Sequence, residues 1–305
     1  MLNICISGLG AVGGYYGAML CKWAQESGEA NIYFIARGEN LKVINEQGLH
    51  IITPTREFTV HPTAASDHPN ELPVMDMIIL TTKSYDLKDN IKQLQPLLKD
   101  STILLPLQNG ADIAEQVKEL LPHNEVWMGC TYISSRRNEP GIITLEADRE
   151  LLYMGKDGFP KTHEEQIYNK IFEKAGINVF NPEDVSMYIR KKYMMISATA
   201  TATSYYNATV GEVISQHPTE MHKLLEEVYD LFVQMGLKMP SDSIESAYRK
   251  QTLMPAHSTS SMHTDFQNGN KTELENLTGY VVHTAKEIGI EVPVYEMMYE
   301  KLKQN

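Results

Sequence analysis

Cysteine is scarce in this chain: three in 305 residues, at Cys5, Cys21 and Cys130. An odd number at such wide spacing makes neither a disulfide framework nor a metal motif, and fits a reducing cytoplasm. Positive charge is also short. The 27 Lys and Arg face 39 Asp and Glu, a formal charge of −12. Nucleic-acid binders neutralise phosphates with basic patches, so the balance argues against that class while leaving room for a local basic pocket. No run approaches the roughly 18 apolar residues of a membrane span. Residues 1–21 carry no charged side chain, but no Lys or Arg comes before Lys22 and five glycines interrupt the stretch, which reads against a secretory leader. Low-complexity tracts, Pro-rich linkers and internal repeats are absent too.

What is present is 42% hydrophobic residues, ample for globular cores. At roughly 100–200 residues per domain the length favours two. The first half alternates strand and helix patterns. Leu2 to Ser7, Asn31 to Ala36, Met75 to Thr82 and Ser101 to Leu107 read as strands. Val12 to Glu26, Asn40 to Gln47, Asp86 to Leu98 and Ala111 to Leu121 read as helices. Such alternation predicts an α/β, doubly wound parallel sheet of Rossmann type, with ligands at the carboxyl ends of its strands. From Glu125 to Gly155, the segments VWMGCTYIS, GIITLE and RELLYMG predict antiparallel strands closing that sheet. A helix from Lys161 to Ala175 and a strand from Asn178 to Phe180 end this half. The break Asn181-Pro182-Glu183-Asp184 places the boundary, giving domains 1–183 and 184–305. The second reads as all-α.

Gly8-Leu9-Gly10-Ala11-Val12-Gly13 matches G-x-G-x-x-G directly after a strand and at the opening of a helix. Gly8 permits the tight turn, Gly10 a close backbone approach to a pyrophosphate, and Gly13 close helix–strand packing. The helix N-terminus offers N–H groups to the phosphates. After the second strand, where NAD-binding folds usually carry an acid, stands Ala36-Arg37-Gly38. A guanidinium suits a 2′-phosphate, so NADP(H) is expected over NAD, against the alternative of a solvated loop arginine. Lys83 and Asn109 end the third and fourth strands and should project toward the cofactor cleft; they read equally as a surface lysine and a turn residue.

Together these features resemble the ketopantoate reductase family: GLGAVG, ARG, TTKSYD and LQNG, then Lys191-Lys192, a small-residue helix ending near Gly211-Glu212, Ser260-Ser261-Met262, Thr272-Glu273 leading to Gly279, Gly289-Ile290 and Pro293. The resemblance spans about residues 3–300, in the family's order. It implies an N-terminal Rossmann domain and a C-terminal helical domain with the active site between them. It also implies NADPH-dependent reduction of 2-dehydropantoate to pantoate, on the route to pantothenate and coenzyme A. By motif position the resemblance implies Lys192 as the catalytic acid, Glu273 as its acidic partner, Ser261 as a substrate ligand, and Lys83 and Asn109 as contacts to cofactor and substrate. A homodimer through the helical domain is an open expectation.

The chemistry agrees. Hydride attack on a ketone puts negative charge on its oxygen, and a lysine ammonium beside it stabilises that charge and donates a proton. On residues alone, Arg190-Lys191-Lys192 reads as a solvated run, with Lys191 the surface member. Glu273 reads as an acid near a helix start and Ser261 as part of a polar loop. Departures from the family pattern fall in the substrate region. Asparagines expected four and eight residues after the lysine are Ile196 and Ala200. Two more are Val210 and Ser258, and a tryptophan before the lysine is missing at Ile189 and Arg190. Such a pocket is less polar unless Thr199, Thr201, Thr203 or Ser204 compensates. A reductase of another 2-oxo acid is therefore the alternative; a non-catalytic NADP(H)-binding regulator would have no need of both Lys192 and Glu273.

Overall fold

A computed structural model describes residues 1–147 and 150–304. The first elements are β1 (Leu2–Ser7), α1 (Ala11–Ser27), β2 (Ala30–Ile35), α2 (Gly38–Gln47), β3 (Leu49–Ile52), β4 (Glu57–Val60) and β5 (Ala64–Ser66). They are followed by β6 (Met77–Leu80), α3 (Leu87–Leu94), β7 (Ile103–Pro106), α4 (Ile113–Leu120), β8 (Glu125–Val126), β9 (Met128–Tyr132), β10 (Ser135–Glu139) and β11 (Ile142–Leu145). Then come β12 (Leu151–Gly155), α5 (His163–Lys174) and β13 (Val179–Phe180). Arg149, at the start of the expected RELLYMG strand, lies outside the described residues.

The main sheet has the order β5-β2-β1-β6-β7-β8 and every pairing in it is parallel. From β1 the chain winds outward through β2 and β5, then returns to β6 on the other side of β1. Strand order therefore reverses between β1 and β6, where α/β sheets open a crevice at their carboxyl ends. The apolar runs of the sequence follow from this position, because a central parallel strand is buried on both faces. Ile4, Ile6, Met77, Ile79 and Leu105 feed one core, whereas Cys5, Ile78, Leu80 and Leu104 feed the other.

The strands from Glu125 to Gly155 pair antiparallel as expected, β9 with β12 and β10 with β11, but they do not close the main sheet. β8 extends the main sheet in parallel rather than closing it. The segments after it form two separate small sheets, β10-β11-β3-β4 and β13-β12-β9. β3 and β4 were not legible as strands, since four residues with alternating or exposed faces carry little hydrophobic signal. β3 pairs in parallel with β11, and β4 covers the other edge of β3.

The chain divides into two compact units, residues 1–108 with 112–186, and residues 109–111 with 187–305. The second contains α6 (Val185–Tyr206, which begins at the junction), α7 (Val210–Gln216), α8 (Pro218–Gln234), α9 (Ser243–Thr252), α10 (Ser261–Gln267), α11 (Tyr280–Ile288) and α12 (Pro293–Leu302). Its core gathers Tyr193, Met194, Leu224, Val228, Phe232 and Tyr295 with their neighbours. Glu275–Gly279 forms a π-helical turn that runs directly into α11. No described helix is long and apolar enough to cross a membrane.

Candidate active site

In the first unit, β1 delivers the chain into the glycine loop at the strand-order reversal. Gly8 has φ +101°, a left-handed conformation that a side chain would strain, and a Cβ there would lie 2.6 Å from the Thr82 nitrogen. Gly13 packs where a Cβ would run into the Gly8 carbonyl and Thr81. Thr81 Oγ1 braces the turn by hydrogen-bonding the carbonyls of Ser7 at 2.9 Å and Gly8 at 2.7 Å. Gly10 differs: a Cβ built on it meets nothing within 4 Å. It precedes α1 with no side-chain cap, and the first turn of α1 carries no acid. Open backbone at an uncapped helix start is what a pyrophosphate requires. Two nearby strand ends add orphaned polar atoms. The Thr82 hydroxyl and both amide atoms of Gln108 are buried without a hydrogen-bond partner among the described residues. The residues present therefore fit a dinucleotide.

Arg37 lies before α2 with its side chain 80% exposed, its guanidinium 3.5 Å from Asp86 Oδ2. Both partners are exposed, so the pair is weak and the arginine can turn to a ligand charge. Lys83 is half-buried and precedes the 3₁₀ turn Ser84–Asp86 that follows β6.

In the second unit, Lys192 of α6 donates from Nζ to Asn109 Oδ1 at 2.7 Å. The run Arg190-Lys191-Lys192 is not the solvated face that composition indicates. Arg190 is buried, donating to the Lys238 carbonyl at 3.2 Å, and Lys191 is half-buried like Lys192. Burial thus does not separate the two lysines; the bond to Asn109 does. Glu273 is 5% exposed and leads into the π turn, its carbonyl accepting from the nitrogens of Asn276 at 3.1 Å and Leu277 at 2.9 Å. Asn276, which sequence reasoning passed over, donates from Nδ2 to the Asn109 carbonyl at 2.8 Å. The available signal was its place one turn after Glu273. The π turn is held open by α6: Tyr193 donates to the Leu277 carbonyl at 2.7 Å, and Ser197 donates to the same carbonyl at 2.8 Å. Such widened turns concentrate at functional sites.

Ser261 belongs to another element, α10. It is exposed at the first position of α10, and its neighbour Ser260, rather than Ser261, bonds Thr203 at 2.9 Å. The threonines of α6 are structural. Thr199 and Thr203 donate to α6 carbonyls at 2.7 and 2.8 Å, Gln251 donates to Thr199, and Thr201 bonds Thr278 at 2.8 Å. The Ser258 hydroxyl closes a local turn onto Pro255 at 2.7 Å. Ser204 keeps a buried hydroxyl without a partner among the described residues. Ile196 packs against the core, and Ala200 and Val210 are buried. Glu212 closes a capping box with Thr209 at the start of α7, a structural task.

Beside Ser261, His263 is 3% exposed, with Nε2 2.8 Å from Asn207 Oδ1 and Nδ1 2.6 Å from the Thr259 hydroxyl. Burial lowers its pKa below the ordinary 6.5. The folded state then resists a proton that the unfolded chain accepts. Its contribution to stability is complete above the unfolded value and is lost as pH falls from there toward the folded one. In thermal melts from about pH 7 to about pH 5, the native protein should lose Tm more steeply than His263→Gln. Parallel profiles would show that this histidine does not set the acid limb.

The ketopantoate reductase PanE/ApbA family model matches residues 4–157, and its C-terminal model matches residues 184–305. A solved structure of 2-dehydropantoate 2-reductase from Porphyromonas gingivalis W83 is 40% identical, covering 99% of both chains with a TM-score of 0.89. A 2-dehydropantoate 2-reductase of Nostoc is 27% identical over 98% of this chain and 93% of its own. A D-mandelate dehydrogenase solved with NADH and anilino(oxo)acetate is 19% identical with a TM-score of 0.87, covering 99% and 98% of the chains, a likeness of fold alone. With the glycine loop, the parallel sheet and the helical unit each falling in their matched segments, the chain belongs to the ketopantoate reductase family of oxidoreductases.

Proposed function

We propose that this chain reduces the keto group of a small 2-oxo acid to a hydroxyl with NADPH, and that 2-dehydropantoate is its substrate. The observation that carries the reading is the 2.7 Å bond between Lys192 Nζ and Asn109 Oδ1. A neutral amide oxygen orients one N–H of the ammonium without cancelling its charge. An ammonium held there stabilises a developing alkoxide and then protonates it. Glu273 balances that charge within the same turn-and-helix group. Asn109, Ser261 and Lys83 supply donors to the substrate's keto oxygen and carboxylate. Gly8 to Gly13, with Leu9, Ala11 and Val12 between the glycines, hold the pyrophosphate, and Arg37 takes the 2′-phosphate. When bound, the nicotinamide supplies the hydride.

A second reading is a reductase of the same mechanism acting on a less polar 2-oxo acid. It is favoured by Ile196, Ala200 and Val210 together with hydroxyls of Thr199, Thr201, Thr203 and Ser258 that are engaged inside the unit. A site that hydrogen-bonds a substrate hydroxyl rejects analogues lacking it; an apolar site does not. The test is kcat/KM with NADPH, at one pH, for 2-dehydropantoate and its analogue without the 4-hydroxyl. On the second reading the two efficiencies lie within about tenfold. A preference for 2-dehydropantoate of about a thousandfold would support the first reading and point to the hydroxyl of Ser261 or Ser204. Failure to turn over any 2-oxo acid would overturn both.

A further inference from the structure

Asn109 is held from two directions. Its side-chain Oδ1 receives Lys192 Nζ at 2.7 Å, and its backbone carbonyl receives Asn276 Nδ2 at 2.8 Å. The turn that carries Asn276 is tied back to α6, because the hydroxyl of Tyr193, the residue after Lys192, donates to the Asn276 carbonyl at 3.2 Å. The bonds form a closed circuit: α6 to the π turn, the turn to Asn109, and Asn109 back to Lys192 on α6. Within it, Asn276 supplies the link that fixes the Asn109 backbone.

We propose that Asn276 is a positioning residue for the reduction, pinning Asn109 so that its Oδ1 holds the Lys192 ammonium where the substrate oxygen develops charge. The proposal rests on the reading of Lys192 as the proton donor. A displacement of about 1 Å in a catalytic group costs up to roughly a hundredfold in rate, so one lost anchor is enough to be measured.

The experiment compares the native enzyme with Asn276→Leu, Asn276→Asp and Lys192→Ala. In Asn276→Leu, kcat should fall about tenfold, while NADPH affinity from a fluorescence titration stays within about twofold. A hydrogen bond to the charged form of a group favours that form, so a displaced Asn109 should also move the alkaline limb of kcat to lower pH. An ionised carboxylate in Asn276→Asp cannot donate to the Asn109 carbonyl, whereas a protonated one can. Its kcat relative to native should therefore rise as pH falls. Both proteins share the titratable groups on this turn and the elements packed on it, Lys192, Glu273, Glu275, His283, Tyr193 and Tyr299, so the ratio reads the added carboxylate and its effect on them. Native kcat and an unmoved limb in folded Asn276→Leu would overturn the proposal. If Asn276→Leu does not fold, the Asn276→Asp ratio decides, and a ratio independent of pH overturns it equally. Native-like turnover by Lys192→Ala sinks the proton-donor reading and this proposal with it. A collapse in Lys192→Ala without change in the Asn276 variants sinks this proposal alone.

Discussion

Lys192→Ala should turn over at least about a hundredfold more slowly than the native enzyme, the usual scale for a lost general acid. Most of the loss should appear in kcat. The ammonium acts on charge that exists fully only once hydride has reached the keto carbon, so its removal raises the transition state more than the bound ground state. Lys191→Ala is the control, with the same charge change, one position away and at comparable burial. It should leave turnover within about threefold, because an exposed or half-exposed charge away from the reacting atoms contributes little. Steady-state kinetics with NADPH and saturating 2-oxo acid separate the cases. Comparable activity in the two variants would mean that neither lysine is the proton donor, and that the Asn109 bond serves packing alone.

Arg37→Ala should erase most of a preference for NADPH over NADH. A charge-assisted contact to the 2′-phosphate contributes roughly 1.5–3 kcal/mol, or about ten- to hundredfold in affinity. The ion pair with Asp86 is exposed, so its loss should leave Tm unchanged while cofactor choice shifts. Raising salt should narrow the native preference, since exposed charges are screened. Equilibrium titration of both cofactors at two ionic strengths measures each point. Equal affinity of the native protein for NADPH and NADH would refute the assignment and return Arg37 to an ordinary loop arginine.

Legibility followed distance along the chain. The apolar runs of β1, β6 and β7 were readable because a strand buried on both faces needs no periodicity, only a short stretch of Ile, Leu and Met between polar breaks. The glycine loop was readable because its demands are local: a positive φ at Gly8, an open face at Gly10 and a close approach at Gly13. The short strands β3 and β4 were not, because four residues are too few to show a period and β3 takes its other partner, β11, from roughly ninety residues along the chain. The small-residue helix showed its composition but not its use. Whether a threonine hydroxyl faces a pocket, its own helix or a neighbouring turn is a matter of rotation about α6, on which burial is spread all round.

By itself, the sequence determined the doubly wound sheet, the place of the glycine loop, the helical second half and the order of the family's motifs. Each of these follows from residue type within a few positions of itself. Only the tertiary structure decided which lysine of Lys191-Lys192 meets Asn109, 83 residues from Lys192, and that Asn276, 167 residues from Asn109, closes the circuit. It also decided that the hydroxyls of Thr199, Thr201 and Thr203 bond within the helical unit. A hydrogen bond needs its two partners within about 3 Å and in line, and no pattern of spacing along one chain encodes which distant segments folding will bring to that separation.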